Sequence, residues 1–486
     1  MTRTVCLALL AAVLIHSPVQ ATPVPGLAEA LSGMGRVAST TEAQSAAGAL
    51  RQRFGLSAPV LPATKTTIPA FVTSGTPVVE LVDMRLLLAQ IAVQTGAKDH
   101  LALARAQDEG VHQVILLRGG FVTLAGLATL MAASPAAGFV STDAQGTTLT
   151  RALVVWPDAG LSLGPDDTLN LSRADGSFLA NLGWLNIDGA TVQGSEAANL
   201  REPAFRPFLL TAGHGSMTAR DASFAHLGFG DTQRFGGVAV DTSGLLAPRT
   251  PAVVTGNRFQ DVASLALIGT ASATVTGNRM ASGAILLAHS VKAQIAGNLL
   301  TESLGQAIRV SNASADAVVA DNIVLGALAG ITVDQASQSI TLSGNVLGGQ
   351  STSGIRLDKV DCVQVTGNLT ALGAGSGVSL SDTGRVVIAG NAIVDNSGAG
   401  ILLRDQRGKA SVRVSGNQIA GNHEGLRGAT AGDVTVSGND MERQLPRLFA
   451  GDLALRTIAW LEDRRDHGPQ VLLADSSPVC PPEGNI

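Results

Sequence analysis

Ile340-Thr341-Leu342-Ser343-Gly344-Asn345-Val346-Leu347-Gly348 is followed 23 residues on by Val363-Gln364-Val365-Thr366-Gly367-Asn368-Leu369-Thr370-Ala371, and 23 further by Val386-Val387-Ile388-Ala389-Gly390-Asn391-Ala392-Ile393-Val394. Each copy is an alternating apolar run, a Gly-Asn pair and a second short apolar run. The asparagine recurs at Asn257, Asn278, Asn298, Asn322, Asn345, Asn368, Asn391, Asn417 and Asn439, with Gly before it except at Asp321. A unit spaced by 20 to 26 residues cannot bury its own apolar face and must stack on its neighbours. Asn tolerates the left-handed conformation and bonds nearby backbone, so one per unit at one corner can form a ladder up the stack. Leucine-rich repeats share the period, but their fixed Leu spacing and helical segment are missing. The expected fold is an all-β solenoid, a parallel β-helix with one coil per repeat.

A second signal recurs in each coil, Gly followed by apolar, variable and apolar residues: Gly330-Ile331-Thr332-Val333, Gly354-Ile355-Arg356-Leu357, Gly377-Val378-Ser379-Leu380 and Gly400-Ile401-Leu402-Leu403. Alternate residues of such a strand point inward and outward, and stacking sets outward residues one coil apart in columns. One column reads Arg309, Thr332, Arg356, Ser379, Leu402, and another reads Ser311, Asp334, Asp358, Ser381, Arg404. Arginine forks suit carboxylates, so these columns are a candidate track for a linear acidic polymer. The competing reading is a solvated face whose charges pair with each other. The same columns on two earlier coils are expected to hold Ala266 and Ile268, then Ile285 and Leu287, an apolar strip that is either covered or meets a partner protein.

Outside the repeats, Arg3, the apolar run Val5 to Ile15 and the small-residue exit Val19-Gln20-Ala21 have the layout of a secretory signal over residues 1–21. Residues 22–114 are rich in Ala, Leu and Gln and predict a short helical region, strongest from Val82 to Gln107. The solenoid is expected over 115–440. From Gln444 to Arg465 the apolar residues surround Trp460, predicting a helix that caps the last coil; with its tail this C-terminal region spans 441–486.

Composition excludes several classes. The 486 residues carry 56 glycines, no tyrosine and 15% charged residues; such an apolar chain is neither disordered nor collagenous. A net charge of −5 without a basic block argues against nucleic acid. No stretch after the signal is long and uncharged enough for a membrane span. Cys362 and Cys480 remain once Cys6 leaves with the signal, and could form one bridge at most. The histidines, His214 and His226 included, show no Cys or His pair at ligand spacing, so no metal is expected. No phosphate loop, nucleophile elbow or Ca²⁺-binding repeat appears, and no cofactor is called for.

Ile115-Leu116-Leu117-Arg118-Gly119-Gly120-Phe121-Val122, Gly176-Ser177-Phe178-Leu179, and Arg201-Glu202-Pro203 with Phe205-Arg206-Pro207-Phe208-Leu209-Leu210 resemble the periplasmic mannuronan C5-epimerases of alginate biosynthesis. The resemblance continues in order to about residue 440. It implies a right-handed single-stranded parallel β-helix, a periplasmic location, a linear polyuronate as substrate, and the neighbourhood of other polysaccharide export or modification proteins. The family carries an Asp-Pro-His-Asp motif and, one coil on, an arginine. Gapless alignment puts Ile285, Leu286, Leu287 and Ala288 on the motif and Asn312 on the arginine. Removing a proton alpha to a carboxylate needs a base, an acid and a neutralising cation. Two readings follow. In one, a relocated epimerase site uses His289 and Arg309, with Asp334, Arg356, Asp358 and Arg404 gripping the polymer. In the other, the chain is a non-catalytic uronan-binding or scaffold protein.

Overall fold

The computed structural model describes residues 24–59, 75–95, 101–107, 112–229, 232–244, 246, 248–406, 410–429, 433–444, 447–463 and 470–471. The expected signal segment lies outside them, as does Cys480; Cys362 is disulfide-bonded.

One coil shows the plan. Thr274–Thr276 forms a strand on the first face, Arg279–Ala281 on the second and Ala284–Ala288 on the third. Three left-handed residues make the corners: Gly277, Ser282 and His289, with φ of 65°, 63° and 51°. Each strand pairs in parallel with its counterparts one coil up and down, as Thr274 beside Gln294 and Leu265 beside Ile285. Repeated through about 13 turns, first-face strands form a 14-stranded sheet, while second- and third-face strands join in a 26-stranded one.

The asparagine column forms an unbroken ladder. Asn278 Nδ2 donates to Asn298 Oδ1 at 2.9 Å, and the same bond links every step from Asn257 to Asn439 at 2.8–3.0 Å. Each side chain also donates to a backbone carbonyl of the coil below, as Asn278 to Val254, and accepts a backbone N–H, as Asn298 Oδ1 from Asn278. The buried amides are thereby satisfied. One expectation is corrected: the left-handed residue is the one before Asn, as at Gly277, Asp321 and Gly390, with φ of 65°, 56° and 61°. Glycine takes the strained backbone conformation, which leaves Asn free to bond between coils.

Inward residues fill the centre with Val, Ile and Leu, among them Val275, Ile285 and Leu287, each 0–1% exposed. That overturns the expected strip. Ile285 and Leu287 point into the core, the outward pair on that strand being Leu286 and Ala288. Ile268 is outward but only 6% exposed. It belongs to one buried cluster with Ala266, Phe229, Phe235 and with Met84, Leu87, Leu88 and Ile91 of the helix Met84–Thr95. No partner is required to cover it.

The N-terminal helices are present and have a position the sequence did not show. Leu27–Arg36 and Thr40–Arg53 lie across the second face of much later coils, their Leu27, Leu31, Met34, Ala47 and Leu50 against outward Leu299, Ile323, Val346, Leu369 and Ala392. Gln44 Nε2 donates to the Asp321 carbonyl at 2.7 Å and Arg51 to that of Gly344 at 2.6 Å. Between this hairpin and the solenoid, Val78–Asp83 adds an antiparallel strand to Gln113–Arg118.

At the other end, Gln444 to Arg465 is not one helix. Phe449–Gly451 continues the third face, and among the described residues of this span only Thr457–Asp463 is α-helical. Trp460 packs edge-on to Phe449, 5.8 Å between centroids, while Leu455, Ile458 and Leu461 stay exposed.

The ladder assigns different costs to neighbouring positions. Asn391→Ala strands the Asn368 amide and is expected to destabilise by about 2–4 kcal/mol. Gly390→Ala meets open space and suffers only left-handed strain of about 1 kcal/mol. Urea unfolding followed by circular dichroism checks this order; a larger loss at Gly390 would refute the assignment of roles.

Candidate functional site

The site follows from which faces remain uncovered. The second face lies under the N-terminal helices. On the early coils the third face lies under an aromatic cover in which Phe178 stacks on Phe208 at 4.7 Å, Phe208 meets Phe235 at 4.7 Å and Phe205 meets Phe229 at 5.1 Å. The turn Gln233–Phe235 is fastened there by an ion pair from Arg234 to Asp241, a carboxylate with 0% side-chain exposure that also accepts from Ser243 Oγ at 2.5 Å. From Leu299–Ser311 onward the third face carries charged and polar side chains.

The strand register confirms the columns. Leu286, Arg309, Thr332, Arg356, Ser379, Leu402 and Arg427 stand in one row; Ala288, Ser311, Asp334, Asp358, Ser381, Arg404 and Ala429 stand in the next. Successive members are roughly 4.8 Å apart. Arg309 reaches across to the following coil, its Nη2 2.8 Å and Nε 3.1 Å from Asp334 Oδ2, with the two side chains 26% and 12% exposed. Arg356 pairs along its own strand with Asp358 at 3.3 Å and is more open. Arg404 is exposed and makes no ion pair among the described residues. Thr332 and Ser379, at 1% and 3% exposure, lie low between the long side chains.

His289 is not in these rows. It is the left-handed residue at the corner after Ala288, in a column with Asn312, Gln335, Lys359, Asp382 and Asp405. Its backbone N–H donates to the Ser311 and Asn312 carbonyls at 3.3 and 3.1 Å, and its side chain is exposed. Arg309 stands opposite Leu286, three residues earlier, about 10 Å back along the strand direction. The structure therefore brings Arg309 to Asp334 rather than to His289. On the strand Ala284–Ala288 the outward Leu286 and Ala288 offer no acid, base or charge.

Three charged residues at the C-terminal end of this face were missed in the sequence. Glu424, on the strand Glu424–Ala429, has only 4% side-chain exposure and lies 2.9 Å from Arg427 and 3.6 Å from Arg447. The signal was present, since Gly425-Leu426-Arg427-Gly428 repeats the Gly-apolar spacing one coil beyond the last that had been read. Elsewhere, His226 Nδ1 lies 2.9 Å from Asp261, which also pairs with Arg206 at 2.8 Å, all at an early corner outside the open track. On the first face, a hydrogen bond from Arg385 holds the Asp361 carboxyl below the usual range.

These features define a parallel β-solenoid whose later third face is charged and, among the described residues, uncovered. Among solved structures it is similar to the periplasmic alginate epimerase AlgG, with a TM-score of 0.66 and 18% identity over 79% of this chain and 99% of that one. A double mutant of AlgG superposes with a TM-score of 0.70 at the same identity and coverage. The likeness establishes the fold. Residues 252–435 match the family described as periplasmic copper-binding protein (NosD). No curated relative matches the sequence.

Copper chemistry does not fit the matched coils. Of the soft and imidazole groups copper favours, Met280 is in the core at 1% exposure and Cys362 is disulfide-bonded. His289 and His423 are six coils apart, about 29 Å. Among the described residues no three His, Cys, Asp or Glu side chains converge on a point.

The Arg234–Asp241 pair generates a prediction for the covered flank. Asp241→Ala removes the buried carboxylate with which Arg234 pairs, and a loss of about 3 kcal/mol is expected with increased proteolysis near Gln233–Phe235. An unchanged denaturation midpoint would show that the aromatic contacts alone hold the cover.

Proposed function

We propose that this is a periplasmic protein whose open third face holds a linear polyuronate without epimerising it. The observation that carries the reading is the contrast along one face. Apolar Leu286 and Ala288 occupy the strand aligned with the epimerases' catalytic motif, while Arg309, Asp334, Arg356, Asp358 and Arg404 follow on the next coils. A uronate carboxylate can take an arginine fork from such a track. Proton abstraction beside that carboxylate has no base there, and a leucine cannot replace one. The fold shared with AlgG supports the polymer class, and the match to a periplasmic family supports the location. Among the described residues no helix is long and apolar enough to cross a membrane. Since Ile268, Ile285 and Leu287 are buried, the proposal rests on the polysaccharide and not on an export partner at that strip.

The second reading, an epimerase using His289 and Arg309, draws on the likeness to AlgG. Proton NMR of polymannuronate incubated with the purified chain separates the two. Little or no guluronate is expected; robust conversion abolished by His289→Ala would establish the enzyme and overturn the binding reading. Oligomannuronate affinity is expected to fall with added salt and by about threefold in Arg356→Ala, as for a half-exposed charge contact. An affinity indifferent to both would retire the track.

A further inference from the structure

We infer that the track is charged unevenly and that its principal carboxylate subsite lies at the C-terminal coils, formed by Arg404, Arg427 and Arg447 around Glu424. This rests on the reading that the third face holds a polyuronate.

The arginines of the earlier coils are balanced. Arg309 is matched by Asp334 and Arg356 by Asp358, so a passing anion must compete with a carboxylate already in place. At the last coils the balance changes. Glu424 occupies the row held by Ala399 on the coil before and is almost fully buried. A lone carboxylate there would be strongly disfavoured. It is offset by two guanidiniums at once, Arg427 at 2.9 Å and Arg447 at 3.6 Å, which keep 50% and 66% of their own surface in solvent. One buried acid thus fixes two exposed cations in place and neutralises only one of them.

Arg404 adds a third. The register sets Leu402 beside Arg427 and Arg404 beside Ala429, so Arg404 and Arg427 lie on neighbouring strands of the same face. Their Cα atoms are about 8 Å apart, within reach of a shared carboxylate for two such long side chains. The adjacent acid, Asp405, is itself the left-handed corner residue, with φ of 52°, outside the two outward rows, and has an interaction of its own. Half-buried Leu402 stands where earlier coils put Thr332 and Ser379, and offers the C–H face of a sugar ring an apolar surface. Three guanidiniums stand to two carboxylates, Glu424 and the exposed Asp452 that the register places beside Ala429 on the next coil, and their partial immobilisation before any ligand arrives reduces the ordering cost that weakens most surface charge contacts.

Calorimetric titration of the full mature chain with oligomannuronate tests the assignment. Arg404→Gln alone, which breaks no ion pair among the described residues, is expected to weaken binding about fivefold with an unchanged melting temperature. Arg404→Gln with Arg427→Gln is expected to weaken it at least about tenfold and to flatten the salt dependence. Arg309→Gln with Arg356→Gln is expected to cost less than either. If the parent binds and the Arg404/Arg427 variant stays within about threefold of it, the subsite is wrong while the polyuronate reading stands. If the parent does not bind at all, both fall.

Discussion

A coil of 20 to 26 residues has no interior of its own, and every other feature of this protein follows from the need to stack. Stacking puts polar corner groups out of reach of water, so the corner must carry a residue that bonds upward and downward at once. Asparagine does so with two donors and an acceptor, provided another residue takes the left-handed turn. Glycine, and Asp321 once, occupies that position. The Gly-Asn pair is therefore a division of labour between conformation and bonding.

Stacking also turns each face into rows of identical spacing, and a row can be apolar only if something covers it. The N-terminal helices answer this on the second face, where outward Leu299, Ile323, Val346 and Leu369 would otherwise be exposed. The helix Met84–Thr95 and the phenylalanine cluster answer it on the early third face. The later third face has no such cover among the described residues and is the stretch where outward residues become Arg, Asp, Ser and Thr. Function is thus located by coverage as much as by residue type.

The fold was legible in the sequence because period and corner chemistry are local properties. The outward rows from Arg309 to Leu402 and from Ser311 to Arg404 were legible for the same reason, being fixed once the Gly of each strand is counted. The coil at Gly283 misled by one residue: Ala284 begins that strand, and a shift of one exchanges the inward Ile285 and Leu287 for the outward Leu286 and Ala288. What the sequence could not show was long range. Nothing near Leu27 or Leu50 indicates that they cover residues some 300 positions later, nor that Asp334 meets Arg309 from the next coil. The C-terminal segment misled because Leu, Ala and Trp at helical spacing conceal a last third-face strand, Phe449–Gly451.

The central claim is spatial: one face, beginning where the aromatic cover ends, receives an acidic polymer. A crystal structure of the chain with a short oligomannuronate tests it most directly. Sugar density along the third face between Arg309 and Arg427, with carboxylates on guanidiniums, is the predicted result; density on the first face, or against Leu286 with His289 at C5, would contradict it.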